Sequence, residues 1–485
     1  MVWLLLLFPA GATGQDRLNI ERQAQTRALA NGLTIVVVER PGTASFGGLL
    51  GCKAGTVDDP PGGAGTAHLV EHFLAGPTME LIGPPKALMR ELTQEYEKTG
   101  GADSPRARTL EAEIAAARKG RQRWNIATVH DFVFYGVVDY PAAGLDRFLQ
   151  AGAETMKAVP SGFIETQRQV LIDEITRAIA KDVSNQTANP NLTTAFAGHP
   201  YGAPIGGVPS DVAVMTLDSV RAFKQAHYVP GLCVVAVVGE VSAATVFSLV
   251  DRYFGDIPTR VVPPETEPLP LAAGERRRAV ESIGGPRLLV SFRKPPAPSR
   301  DDAIAEVVAS LLGRGAESRL FRDVVGAQKL AAQVSAGNGG PGLRYDNLLT
   351  IGAVPAAGVR VEDLEAPILR HLEALKAHPV DGAELTAAIA RLDTSRNAQY
   401  AADFPLVLAI ARHQVALGDW KFVLRAEEAC RTVTPTGGAN VWTRGRCAIG
   451  HPWRPSQCPS RIQPGGAGSR IGQRCRRVFS PPHGR

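Results

Sequence analysis

Within residues 62–77, GGAGTAHLVEHFLAGP, five positions constrain this chain more than any others. His68, Leu69, Val70, Glu71 and His72 form an H-x-x-E-H motif. Read as a helix at 3.6 residues per turn, the motif puts His68 and His72 one turn apart on one face, with Glu71 beside them. Two neutral imidazoles suit zinc, and a carboxylate outside the ligand set can take a proton from a water whose pKa the metal has lowered to about 7. The chemistry implied is hydrolysis. With 10 His in 485 residues, the pattern arises by chance in roughly one such chain in a hundred, so context has to decide. The plainer alternative is an amphipathic helix with Leu69, Val70, Phe73 and Leu74 as its core face. Both readings start the helix after the glycines at 62, 63 and 65, with Thr66 as the N-cap.

A chain of this length exceeds one ordinary core and is expected to divide into two or three domains. Residues 3–9 (WLLLLFP), followed by AGATG, resemble the apolar region and cleavage site of a signal peptide. That implies a segment 1–14 removed before a mature start at Gln15, and a periplasmic or secreted protein, with a cytoplasmic one as the alternative. No later apolar run is long enough to span a bilayer. The net charge of +6 invites a nucleic-acid reading, but the charge is local. Ten of the 42 Arg follow Glu428, where there is no Asp, Glu or Lys, leaving 43 basic against 47 acidic residues before it, a net of −4. A basic groove for phosphates is unsupported.

Two apolar runs, residues 33–39 (LTIVVVE) and 46–52 (FGGLLGC), read as strands leading into the motif helix. Residues 79–123 are charged on nearly every face and read as a solvated helical insertion, with helices at 87–98 and 107–119. Residues 125–138 return to strand composition, and 142–159 read as a helix. In residues 161–181 (SGFIETQRQVLIDEITRAIAK), Phe163, Ile164, Val170, Leu171, Ile175 and Ile179 recur at helical spacing and predict one buried face. A zinc held by two histidines needs a third protein ligand, and a carboxylate from this helix can supply it. Glu174, Glu165 and Asp173 all remain open on spacing alone. A loop at 189–209, a helix at 217–226, a strand at 233–239 and a helix at 243–254 close the first unit. The proline-rich stretch 257–274 reads as a linker. After it a similar order begins again: a strand at 286–292, helices at 301–312 and 318–326, strands near 330–336 and 348–354, and helices at 362–377 and 382–397. This is a weak internal duplication whose second copy lacks the motif.

Six blocks, in order, carry a resemblance: NGLTIVVVER, GTAHLVEHFLAG, NIATVHDFVFYG, QRQVLIDEI, HPYGAPIGG and YVPGLCVVAVVGEV. Together they resemble the pitrilysin/insulinase family of inverted-motif zinc peptidases, which includes the mitochondrial processing peptidases, from about residue 27 to about 435. The resemblance implies an α+β fold of two homologous domains, each a mixed sheet backed by helices, forming half of a chamber for unfolded or short peptides. The boundaries implied are 27–256 for a zinc-binding domain, with the insertion at 79–123, and 275–435 for a second domain without a metal site. It also implies one Zn2+ per chain, with His68, His72 and Glu174 as ligands and Glu71 as general base. Asn125 matches the residue of the strand that holds substrate by β-augmentation. Active members draw an Arg and a Tyr, seven positions apart, from a non-zinc domain. The matching positions here hold Val325 and Ala332. A homodimer or a homologous partner chain is therefore expected to supply that pair, as happens for the first half of longer bacterial members. The function implied is a zinc-dependent endopeptidase; the alternative is a non-catalytic peptide-binding or assembly subunit, or a truncated inactive product.

His130 stands near the substrate strand but reads first as a surface histidine, and His199 with Tyr201 either lines substrate or orders a turn. Cys52 and Cys233, each in an apolar strand, read as buried free thiols. Residues 436–485 have no acid, no lysine, no alternating or helical period and half of the cysteines. They read as a tail unable to bury a core, either naturally disordered or read out of frame.

Overall fold

The apolar runs at 33–39 and 233–239 become neighbouring parallel strands in a six-stranded sheet, with the run at 46–52 on the other side of the second. The computed structural model describes residues 20–82, 86–99, 104–119, 124–260, 262, 274–436 and 446–450, all within one unit, Met1–Pro452. The signal-like segment 1–14, most of the linker and the tail beyond residue 450 lie outside the described residues.

The first half runs β1 (Ala24–Ala28), β2 (Thr34–Glu39) and β3 (Ser45–Cys52), then helices α1 (Thr66–Leu74), α2 (Gly76–Ile82), α3 (Lys86–Thr99) and α4 (Pro105–Lys119). A hairpin of β4 (Trp124–Thr128) and β5 (Val133–Pro141) follows, then α5 (Leu145–Lys157), α6 (Ile164–Lys181), α7 (Val183–Ala195), α8 (Pro209–Val214), α9 (Leu217–His227), β6 (Cys233–Gly239) and α10 (Ala243–Phe254). The strand order is β1-β2-β6-β3-β5-β4, with β2 and β6 parallel and the other neighbours antiparallel. Every residue of β6 is buried, as β-branched runs are when both faces of a strand are covered. Alternate side chains serve different cores. Ile35, Val37, Val235 and Val237 face helices α1, α5, α9 and α10, whereas Val36, Val38, Val234 and Val238 face the opposite way.

The second half runs β7 (Arg276–Arg278), β8 (Leu288–Lys294), α11 (Arg300–Gly313), a π-helical turn (Phe321–Ala327), β9 (Ala331–Gly340), β10 (Asn347–Pro355), α12 (Glu365–Ala377), α13 (Gly382–Ala401), α14 (Asp403–Leu417), α15 (Phe422–Arg431) and β11 (Arg446–Gly450). Its strand order, β7-β11-β8-β10-β9, repeats β2-β6-β3-β5-β4 with the same senses of pairing. The expected pair of homologous sheets is thus visible in topology. The repeat needs β11, a strand within the segment expected to have no fold, so that expectation is corrected for residues 446–450. Backbone pairing with β7 and β8, rather than any period of its own, makes it a strand.

Other differences have physical causes. Helix α14 went unseen in the sequence because its apolar residues run almost all round it, without the one-sided stripe that marks a helix. It covers the second face of the first sheet through Phe404, Leu406, Val407, Ile410, Ala411 and Val415. Gly47 permits the approach, since a Cβ there would meet the Phe404 backbone nitrogen at 2.9 Å. The loop expected from residue 189 begins only after Ala195, because α7 continues through Pro190 and Asn191 there accepts a buried hydrogen bond from Ser291 at 3.1 Å. On α6 only Ile164, Leu171 and Ile175 are buried; Phe163, Val170 and Ile179 are exposed. The charged insertion is a helix pair that buries Ala107, Leu110 and Ile114.

Cys52 and Cys233 are not free thiols. They face each other in the β3–β6 register with Cα atoms 4.1 Å apart, and they form a disulfide. A cross-strand partner is invisible when each cysteine is judged by its own strand. Closing a loop of this length restricts the unfolded chain. Reducing the bond, or replacing both cysteines by Ala, is expected to cost about 2–4 kcal/mol. Urea unfolding with and without reductant measures this, and an unchanged midpoint would contradict it.

Candidate metal centre

Helix α1 is held at its start by a residue the sequence did not single out. Gly65, rather than Thr66, is the N-cap, and it offers no side-chain acceptor. Asp59 supplies two instead: Oδ2 accepts from the Gly65 amide at 2.8 Å and Oδ1 from the Ala67 amide at 2.7 Å. Those amides are among the orphan donors of a helix start. Thr66 turns its hydroxyl back to the Gly63 carbonyl at 2.6 Å. Burial pushes the Asp59 carboxyl up to about 7, against the pull of the two amides.

From this start, α1 presents His68 and His72 toward α6. His68 Nε2 lies 3.7 Å from Glu174 Oε1, and His72 Nε2 lies 3.5 Å from Glu174 Oε2. The ligand-type atoms of the three residues all fall within 4.8 Å of one another. A tetrahedral zinc with bonds of about 2.0–2.1 Å sets its ligand atoms roughly 3.4 Å apart; the donor set suits that ion in chemistry, and the two His–Glu separations lie close to that spacing. The alternatives on α6 are engaged elsewhere: Glu165 pairs with Arg168 at 3.3 Å, and Asp173 accepts from Gln169 at 2.8 Å. Burial lowers the pKa of His68, which favours the neutral, ligating imidazole. The hydrogen bond from His72 holds the Glu174 carboxyl below its ordinary value.

Glu71 stands outside this set and is buried. Its Oε2 accepts from the Thr128 hydroxyl at 2.7 Å. Thr128 ends β4, which is the edge of the sheet among the described residues. Asn125 lies on the same strand, half-buried and paired in register with Gly136. Behind Glu71, the hydroxyls of Tyr135 and Tyr228 meet at 2.9 Å, and burial raises both phenols above their ordinary value, keeping them protonated.

The remaining candidates do not enter the cluster. His130 is buried rather than on the surface, with its ring edge-on to Tyr201. His199 orders a turn, its Nδ1 accepting from the Tyr201 amide at 3.0 Å. Val325 packs against the second core, and Ala332 is exposed. Sequence reasoning missed Asp59 and Thr128. Neither belongs to a spacing rule; Asp59 acts across six and eight residues, and Thr128 across 57.

Residues 215–392 match the family model described as the peptidase M16 inactive domain. A Helicobacter pylori protein named zinc protease PqqE is 25% identical over 367 residues, covering 74% of this chain and 76% of that relative. The probable mitochondrial-processing peptidase subunit beta of Schizosaccharomyces pombe is 23% identical over 251 residues, 52% of this chain and 48% of its own. Among solved structures, a protease from Helicobacter pylori matches with a TM-score of 0.71 at 21% identity, across 88% of this chain and 98% of that one.

Burial pushes both His130 and His413 down to about 4. Because the folded value lies below the unfolded one of about 6.5, the stability tied to each neutral ring is complete above pH 6.5. It is lost as pH falls toward 4, by up to about 3 kcal/mol per histidine. Unfolding midpoints between pH 7 and 4.5 should fall accordingly, and less steeply in a His130→Asn variant. Equal slopes for parent and variant would refute the assignment.

Proposed function

We propose that this chain, which belongs to the M16 peptidase family, is a zinc-dependent endopeptidase acting on extended peptides. The observation that carries this reading is the convergence of His68, His72 and Glu174 from two helices, with a buried carboxylate, Glu71, beside them but outside the ligand set. Zinc held by these three residues would supply Lewis acidity to the scissile carbonyl and to the attacking water. Glu71 then takes a proton from that water, its carboxylate held in place by the Thr128 hydroxyl. The outer edge of β4 offers backbone donors and acceptors to an extended substrate, which Asn125 helps to anchor. The hydroxyl pair of Tyr135 and Tyr228, neutral at working pH, closes the site from behind without adding charge.

With Val325 and Ala332 where the family has Arg and Tyr, a second copy or a homologous chain completes the transition-state contacts. Adding that partner should raise kcat more than it lowers KM. The Cys52–Cys233 disulfide supports an exported location, because such bonds persist in oxidising compartments. The same two substitutions favour a second reading, a non-catalytic peptide-binding subunit.

One experiment separates the two. Purified protein should hold about one zinc per chain and cut an unfolded peptide. Glu71→Gln should keep the metal while kcat falls by about 10²–10⁴. A folded protein without zinc overturns the peptidase reading. A zinc-loaded protein that cuts nothing, with or without a partner, favours the binding subunit.

A further inference from the structure

The hairpin loops of the two sheets meet. Residues 341–346, between β9 and β10, pack onto residues 129–132, between β4 and β5, and onto the turn that precedes the motif helix. Leu343 donates its amide to Asp131 Oδ2 at 2.5 Å, and the Tyr201 hydroxyl donates to Asp131 Oδ1 at 2.6 Å. The same hydroxyl accepts from the amides of Arg344 and Tyr345 at 3.0 and 3.3 Å. Gly342 is required, because a Cβ there would collide with both Asp131 oxygens and the Tyr201 hydroxyl. Tyr345 stacks edge-on against His199 and Tyr201.

At the centre of this contact Arg344 Nη1 meets Asp58 Oδ2 at 2.8 Å, with side chains only 4% and 9% exposed. Asp58 ends the short turn Thr56–Asp58, which is tied to the β4–β5 loop by Thr56 N–H to the Val129 carbonyl and Val57 N–H to the His130 carbonyl. The next residue is Asp59, whose two oxygens hold the amides of Gly65 and Ala67 at the start of α1. A continuous path therefore runs from the second half to the metal helix: Arg344 to Asp58, the peptide bond to Asp59, then Asp59 to the first turn of α1. Zinc ligands tolerate errors of only about 0.2 Å in their distances, and catalytic groups about 0.5 Å.

We propose that Arg344 is a positioning residue: through Asp58 and Asp59 it sets the placement of the helix bearing His68, Glu71 and His72, so the half without a metal site tunes the half that has one. The metal arm of this inference rests on the peptidase reading; the helix arm does not. Breaking a buried charge pair leaves Asp58 uncompensated, so the test uses two variants of graded severity. Arg344→Met removes the charge and keeps the aliphatic stem, whereas Arg344→Lys keeps the charge without the fork.

In metal-free protein, amide hydrogen exchange of Gly65 and Ala67 should quicken at least tenfold in Arg344→Met and by less in Arg344→Lys. Protection at Ile351 in β10 should be unchanged in both. In the zinc-loaded protein, Arg344→Met should lower zinc affinity about tenfold by chelator competition. It should also lower kcat with little change in KM, with partial rescue by Lys. An Asp59→Asn change should add less than its separate effect when combined with Arg344→Met, because both act on one path. If Arg344→Met does not fold, the exchange comparison on Arg344→Lys decides. Unchanged exchange at Gly65 and Ala67 in a folded variant overturns the proposal, whatever the metal does. Absence of zinc binding in the parent overturns only the peptidase reading.

Discussion

The structure depends on the second face of its first sheet being sealed by a helix from the other half. Strands β2, β6 and β3 carry apolar side chains on both sides, so a single layer of helices would leave Val36, Val38, Leu49, Val234 and Val238 in water. Helix α14 covers them. Burying each large aliphatic or aromatic side chain contributes about 1.5–3 kcal/mol, and α14 brings five, Phe404, Leu406, Val407, Ile410 and Val415. The helix is aligned by polar contacts at its start, where Arg40 reaches Asp403 at 2.8 Å and the Tyr400 carbonyl at 2.6 Å. The cluster of His68, His72 and Glu174 therefore stands on a sheet whose second face is covered from the other half.

The two halves solve one electrostatic problem in opposite ways. In the first, His68 and His72 are the third and seventh residues of α1; in the second, Asp302 and Glu306 are the third and seventh of α11. The helices follow corresponding strands, β3 and β8, in the repeated topology. Asp302 receives the buried Lys294 ammonium at 2.5 Å, and Glu306 receives Arg314 at 2.8 Å and Arg396 at 3.7 Å. A pair of carboxylates one turn apart thus gets its positive charge from fixed side chains. The imidazole pair has Glu174 opposite, leaving a gap of donor atoms that suits a bound cation. The residues at two corresponding helical positions carry the difference.

Much of this was legible in the chain itself. The H-x-x-E-H spacing made the two histidines and Glu71 neighbours as soon as the segment was helical, because 3.6 residues per turn is a local property. The valine runs announced buried strands, and the ordered blocks carried the resemblance that chose Glu174 among three carboxylates. Local pattern also misled where it was asked to speak for distant partners. Cys52 and Cys233 each looked like an inert apolar thiol. Residues 446–450 looked unable to fold, and α14 showed no single apolar face.

What the sequence determined by itself was therefore the chemistry on offer: two imidazoles, a free carboxylate and a choice of third ligand, at spacings set by a few residues of helix. What only the tertiary structure decided was everything that acts across the chain. It put Thr128 on Glu71 and Asp59 on the start of α1, and joined Cys52 to Cys233. It also brought Arg344 to Asp58 across 286 residues. The physical reason is that hydrogen bonds and ion pairs require contact within about 3–4 Å. A helix or strand period fixes such contacts only between near neighbours, and the rest waits for two sheets and their helices to pack.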